Sequence, residues 1–295
     1  MSAAPVLPRT RSVGSRSLGR FTRHRLALIS VVVLTLLILV GIFAPLLAPY
    51  DPYNLATGPS GNIEFASPPS REFWLGTDTL GRDVLSRLIF GTRVSLTIGI
   101  SAALLALIIG VVLGVVAGFR GGWTDTLLSR FTDAVAAFPS LFLILTVSSF
   151  VPPSLLTTVT VIGLLSWVPT FRLMRGETLK LRNLEYVDAA RALGARDPRL
   201  MFRHILPNAA APIIVQTTLG VAEAILTESA LSFLGLGVQQ PVASWGNMLS
   251  DARTITVLQS QPWLWLPSGA AILVTVLAIN FLGDGLRDTF NPREQ

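Results

Sequence analysis

Runs of twenty or more residues without a single charged side chain decide what this chain can fold into. Leu26–Tyr50 is the first and Val94–Phe119 the second. A helix crosses a bilayer core of about 30 Å with about 20 predominantly apolar residues, so each run is long enough for one span. A third run, Ala134–Phe171, is too long for one helix and holds Pro152-Pro153. Proline lacks an N–H and disfavours a helical conformation in the residue before it. Two spans, about 134–151 and 154–171, are therefore expected with a tight turn between them. A fifth runs from Pro207 to about Ser232 and contains Glu223 and Glu228; Trp263–Gly283 is the sixth. Composition agrees: 51 % of residues are hydrophobic and 14 % charged, against roughly a quarter charged in soluble domains, and mean hydropathy is +0.61. The expected fold class is an all-α membrane protein with six transmembrane helices.

The basic side chains orient it. With both termini inside, the inner segments carry 18 Lys and Arg and the outer segments 5. Membrane proteins keep this excess in cytoplasmic loops, which predicts cytoplasmic N- and C-termini. The same asymmetry accounts for the net charge of +6, so no nucleic-acid partner is expected. Residues 1–25 hold six Arg and precede an apolar run longer than the 7–15 residues of a signal sequence. The expected organisation is a basic tail at 1–25, a first transmembrane helix at 26–50, an external loop at 51–93, a five-helix core at 94–283 with a cytoplasmic loop at 172–206, and a tail at 284–295.

Several chemistries are excluded. There is no cysteine, hence no thiolate metal site and no thiol nucleophile. His24 and His204 lie far apart, and no paired-histidine zinc motif exists. The single lysine, Lys180, follows Glu177-Thr178-Leu179 and so does not belong to a phosphate-binding loop. Gly58-Pro59-Ser60-Gly61 fits the short G-x-S-G pattern of intramembrane serine proteases, but Ser60 sits in a Pro/Gly-rich loop and neither histidine lies in a span to act as its base. No catalytic residue, metal site or cofactor is expected in this chain.

The most charged loop is also the most patterned. In Asn183–Pro207, Val187, Ala190 and Leu193 recur at helical spacing and Gly194 ends the turn. Asp197-Pro198 suits the start of a helix, and Leu200, Met201, Ile205 and Leu206 supply a second apolar stripe before Pro207. Two short amphipathic helices meeting near Gly194 are expected. They would either rest in the lipid headgroups or offer an apolar ridge to a cytoplasmic partner.

The order Asp188-Ala189-Ala190, three residues, Gly194, nine residues, His204-Ile205-Leu206-Pro207 resembles the EAA loop of bacterial ABC-importer permeases, with Asp188 for the usual Glu and His204 where Ile is usual. Trp74-Leu75-Gly76-Thr77-Asp78 with Gly81-Arg82-Asp83-Val84-Leu85-Ser86-Arg87, Gly121-Gly122-Trp123 with Phe138-Pro139-Ser140, and Glu228–Leu249 are similar, in the same order, to segments of the dipeptide/oligopeptide/nickel permeases. The resemblance implies the type I ABC importer permease (MetI-like) fold in a bacterial inner membrane. It further implies a homologous permease subunit as partner, two cytoplasmic ATPases that carry the ATP and Mg, and an extracytoplasmic substrate-binding protein docking on 51–93 and 233–262. Asp188, Ala189, Ala190, Gly194, Ile205, Leu206 and Pro207 would couple this chain to an ATPase. Asp188, Gly194 and Leu206 are expected to carry the coupling, and Gly194→Leu to add bulk where the two helices meet.

The cargo implied is a di- or oligopeptide, with nickel, glutathione or another small solute as alternatives. An ion-coupled secondary transporter is the rival, but paired halves and a proton relay are absent from the sequence. Glu223 and Glu228 are costly in a membrane unless they face protein or water; they could line the path for a cationic or amine-bearing substrate or make a subunit-interface hydrogen bond, and Glu228 could already lie at the outer surface. Gly110, Gly114 and Gly118 allow close helix approach, most simply within the subunit.

Overall fold

A computed structural model describes residues 24–58 and 61–290. The basic tail up to residue 23, the last five residues of the C-terminal tail, and Pro59 and Ser60 of the G-x-S-G pattern lie outside the described residues. The described residues are helical, apart from turns and two isolated bridges, Thr57 to Ile63 and Thr77 to Asp83. The helices are α1 (Arg25–Ile42), α2 (Ala44–Leu47), α3 (Val84–Arg120), α4 (Gly122–Ala136), α5 (Ser140–Ser149), α6 (Leu155–Leu165), α7 (Val168–Leu181), α8 (Glu185–Ala192), α9 (Ala210–Phe233), α10 (Trp245–Leu249), α11 (Ile255–Ser260) and α12 (Leu266–Phe290).

Four helices are long and apolar enough to cross a membrane alone: α1, α3, α12, and α9 taken with the turns that lead into it from Asp197. Two more spans are bent pairs, α4 with α5 at 79° and α6 with α7 at 41°. The break expected at Pro152-Pro153 is present, with Ser154 accepting from Thr157 N–H to start α6. The third and fourth spans differ from the expected single helices. Pro139 has no N–H to continue α4 and disfavours helix at Phe138, so the chain turns there. A second break falls at Ser166-Trp167, where α7 restarts with Pro169 in its first turn, a position that needs no proline N–H.

Helices also run past the expected boundaries. Ten residues of the expected external loop, 84–93, begin α3; residues 172–181 of the expected cytoplasmic loop complete α7; and 284–290 of the expected tail extend α12. Asp83 caps α3, its carboxylate accepting from Ser86 N–H at 2.7 Å and Ser86 Oγ at 2.6 Å. At the far end Gly121 takes φ +66°, and Arg182 Nη1 donates to the carbonyl of Gly118 at 2.7 Å.

Packing of α3 rests on one stripe of small residues: Gly91, Ser95, Gly99, Ala103, Ala106, Gly110, Gly114 and Gly118. Seven steps of three or four residues carry the stripe about half a turn around the helix. Near Gly91 it meets α10, where Trp245 N donates to Ser95 Oγ at 3.1 Å, and near Gly99 it meets Ile225 of α9. At Gly110, Gly114 and Gly118 it meets α7, and an added Cβ would stand 2.6, 2.8 and 2.7 Å from Thr170, Met174 and Thr178. The glycines thus pack within the subunit. Lipid gives helices no hydrophobic drive to associate, so such close van der Waals contact is what holds the bundle.

The bundle has two distinct ends. The start of α1 and the end of α12 lie together, His24 Nε2 standing 3.8 Å from Asp288. The segment 182–209 shares the end at which α3 and α7 finish; this is the loop end. Residues 48–58, 61–83 and 234–264 form a cap at the other end, where Arg87 Nη1 donates to the carbonyls of Pro52 at 3.2 Å and Pro241 at 3.4 Å.

Candidate functional site

At the loop end, α8 stops in a Schellman turn. Gly194 N–H donates to Arg191 O at 2.9 Å and Ala195 N–H to Ala190 O at 3.0 Å, with Gly194 at φ +82°. Ala190 and Ala195 pack against the same apolar cluster, the contact that accompanies this turn. A Cβ on Gly194 would meet nothing within 4 Å. Bulk at Gly194 would therefore enter open space and not the meeting point of two helices; glycine is required for its left-handed backbone, which costs other residues about 1 kcal/mol.

The second half of the loop is not a separate short helix. Asp197–Arg199 opens a turn that passes into a π-helical stretch, Leu200–Ile205, and a 3-10 turn, Leu206–Ala209, and then directly into α9. Pro207 cannot donate to the ladder, and the wider turn before it absorbs the mismatch. The wider turn also brings Leu200, Met201 and Ile205 onto one face, all buried against Val111, Val115, Met174 and Val187. Most of the expected apolar ridge is therefore turned inward, because the permease itself supplies the apolar surface that covers it. What faces outward is narrower. Leu193 is 89 % exposed, Leu184, Tyr186 and Phe202 are partly so, and Asp188 pairs with Arg191 at 2.7 Å. Ala189, Gly194 and Pro207 are exposed, Ala190 and Leu206 half-buried, and Ile205 buried.

This corner is braced. Arg175 Nη2 donates to Asp125 Oδ2 at 2.7 Å, a pairing that Arg175 Nε completes on Oδ1, joining α7 to α4. The α3–α7 glycine contacts then tie both helices to the centre of the bundle.

The two intramembrane carboxylates separate completely. Glu228 is buried, and its Oε1 accepts from Ser232 Oγ and Ser244 Oγ, both at 2.8 Å. Ser244 and Asn247 form a capping box on α10, and Asn247 Nδ2 donates to Val242 O at 2.5 Å. Glu228 thus fastens the 234–249 segment to α9 from inside the chain. The two bonds to its Oε1 stay within this chain, and its Oε2 is buried without a partner. Glu223 is exposed. It stands beside a small cavity of about 20 Å³ between α3, α6, α7 and α9, lined by Ser166, Thr170, Gln216 and Gly220 among others. Gln216, Gly220, Glu223 and Thr227 follow one another at four, three and four residues, a single stripe of α9. The spacing of Gln216 and Thr227 about Glu223 was available in the sequence, whereas the arrival of Ser166 and Thr170 beside it depends on the bend between α6 and α7.

The cap holds a second charged cluster. Asp78 Oδ2 accepts from Arg82 Nη2 at 2.7 Å and Nε at 2.8 Å and lies 3.3 Å from Arg87 Nε. Asp251 sits nearby, its carboxyl pushed up to about 6 by burial and by the charge of Asp78, against the pull of Arg87 and Arg82. A carboxyl whose folded pKa exceeds its unfolded value contributes stability that is full below about pH 4 and is lost as pH rises through about 6. Amide protection of α11, which follows Asp251, is accordingly expected to fall between about pH 4 and pH 6.5 by on the order of 2 kcal/mol and to level off above that. Asp251→Asn should flatten that dependence; hydrogen exchange corrected for intrinsic rates reads both. Among the described residues no three His, Asp or Glu side chains converge as metal ligands would.

Residues 110–295 match the model of the binding-protein-dependent transport system inner membrane component family, and 12–69 that of the N-terminal TM domain of oligopeptide transport permease C. The chain is 44 % identical to the dipeptide transport system permease protein DppC of Alkalihalophilus pseudofirmus, over 92 % of this chain and 87 % of that protein. It is 40 % identical to the oligopeptide transport system permease protein OppC of Bacillus subtilis, over 99 % and 93 %. Among solved structures, a chain of the inward-facing MetNI methionine ABC transporter superposes with a TM-score of 0.57 at 15 % identity, over 70 % of this chain and 98 % of that one.

Proposed function

This chain belongs to the family of binding-protein-dependent transport system inner membrane components, and on that premise we propose how it works and what it carries. It is a multi-pass permease subunit of an ABC importer, a transport component whose ATPase is a separate subunit. It pairs with a homologous permease to line a path for di- and oligopeptides, the cargo in the printed names of the relatives. Two ATPases carrying ATP and Mg sit at the loop end, and a substrate-binding protein docks on the cap formed by 48–58, 61–83 and 234–264. Both termini are cytoplasmic, as the excess of Lys and Arg in the loop-end segments favours.

The observation that carries this reading is the braced corner at Gly194. Asp188, Ala189, Ala190 and Gly194 lie on or beside the outward surface that an ATPase would grip. Ile205 is buried and anchors the corner to α9, with Leu206 half-buried and Pro207 exposed beside it. A push on Leu193 reaches α7 and α3 through the cluster of Val187, Leu200 and Met174, with no flexible linker between. ATP binding can shift an inward–outward equilibrium only if the ATPase contact differs between the two states, and a rigid corner carries such a difference into the bundle.

The test is uptake by proteoliposomes holding this chain, its homologous permease, both ATPases and the binding protein. Labelled dipeptide should accumulate only with ATP and binding protein together. Accumulation driven by an ion gradient with this chain alone would overturn the reading.

A further inference from the structure

Glu223 is an exposed acidic side chain inside a span, and no fold contact holds its carboxylate among the described residues. Glu228, five residues on, has one carboxylate oxygen held by two serine hydroxyls, whereas among the described residues no side chain donates to the carboxylate of Glu223, Thr227 Oγ1 going to its backbone carbonyl at 2.8 Å. An ionised carboxylate in the hydrocarbon is costly and is tolerated where it faces protein or a water-filled cavity. Its stripe on α9, with Gln216 and Thr227, is polar over three turns, so this face is built against something wetter than lipid. Thr170 and Ser166, across the cavity, add further polar groups, and Ala102, Ala103 and Ala106 clear the space opposite. The present opening of about 20 Å³ admits about one water.

We propose that Glu223 is the cation-selecting group of the translocation path, presenting its carboxylate to the ammonium of a passing peptide, with Gln216 and Thr170 supplying neutral hydrogen-bond partners. This rests on the reading of the chain as a path-forming permease. A single negative charge on an otherwise neutral wall favours a substrate bearing a free α-amine and disfavours anions, and a lone carboxylate without a fixed counter-charge holds the amine loosely enough to release it.

The chain has no cysteine, which makes the idea directly measurable. Gln216→Cys places a thiol about 10 Å along the helix from Glu223, and Thr227→Cys places one about 6 Å away on the other side. Each variant is assembled in the full complex in proteoliposomes, and modification of this chain is followed with a cationic and an anionic methanethiosulfonate during ATP turnover. The ratio of cationic to anionic rate should be about ten-fold or more above that of the same cysteine variant carrying Glu223→Gln. Saturating transported dipeptide should slow the reaction. Equal ratios with and without Glu223, or thiols at both 216 and 227 that react in no state of the cycle, would overturn the proposal; the second result would mean that Glu223 is sealed against the neighbouring permease. Using two positions keeps the test sound if one variant fails to assemble. Dipeptide uptake by the parental complex is scored separately. A charge preference without dipeptide uptake refutes only the cargo, and uptake without the preference refutes only the role of Glu223.

Discussion

Replacing Gly114 by leucine will remove the folded chain from the membrane. A Cβ at this position would stand 2.8 Å from both Met174 Cβ and the carbonyl oxygen of Phe171, and the remaining carbons of leucine have nowhere to go without moving α7. Displacing α7 also opens the contacts at Gly110 and Gly118, because the three glycines share one face. Overpacking costs about 1–3 kcal/mol at an ordinary core site, and here a backbone oxygen rather than a flexible side chain must give way. A loss of about 3 kcal/mol or more is expected, seen as a lower unfolding temperature in detergent and a several-fold drop in membrane-inserted protein. Gly176 on α7 is the control, since a Cβ there meets nothing within 4 Å. Gly176→Ala should be neutral or slightly stabilising, as alanine is preferred to glycine inside a helix. Normal accumulation and stability of Gly114→Leu would refute the packing account.

Leu193→Asp is expected to do the opposite: leave the chain intact and disable the machine. Leu193 is 89 % exposed, so its loss removes no internal packing and the unfolding temperature should stay within a degree or two. If the side chain fills a pocket on an ATPase, its burial there is worth about 1.5–3 kcal/mol, and a carboxylate in that pocket adds a desolvation cost. Affinity for the ATPases should fall at least ten- to a hundred-fold, and uptake should approach the level without ATP. Co-purification and uptake measured together read both. Parental uptake by Leu193→Asp would show that the partner does not grip this corner.

The membrane portion of the fold was legible, and the parts beyond it were not. Uncharged runs mark where lipid is, so α1, the middle of α3, the middle of α9 and the start of α12 fell where expected. Hydropathy is silent once a helix leaves the bilayer, which is why residues 84–93 and 172–181 read as loop although they continue α3 and α7. Pro139 was visible, yet it sat inside an uncharged run, and a proline alone does not announce a 79° turn. At the candidate site, spacing located the helix and the glycine at 185–194. Periodicity says that an apolar face will be covered but not by what, and Leu200, Met201 and Ile205 found their cover within the subunit. Glu223 and Glu228 looked alike as letters; only the arrival of Ser244 from sixteen residues downstream tells them apart.

The length of α3 has a mechanical corollary. At 1.5 Å per residue its 37 residues make a rod of about 55 Å, nearly twice the thickness of the hydrocarbon it crosses, and its sequence contains no proline to act as a joint. One tip is clamped by Arg182 and Gly121, the other by Asp83, Arg87 and the Ser95–Trp245 bond. A shaft held at both tips ties the loop end of the bundle to the cap, so a rotation imposed at one is carried to the other.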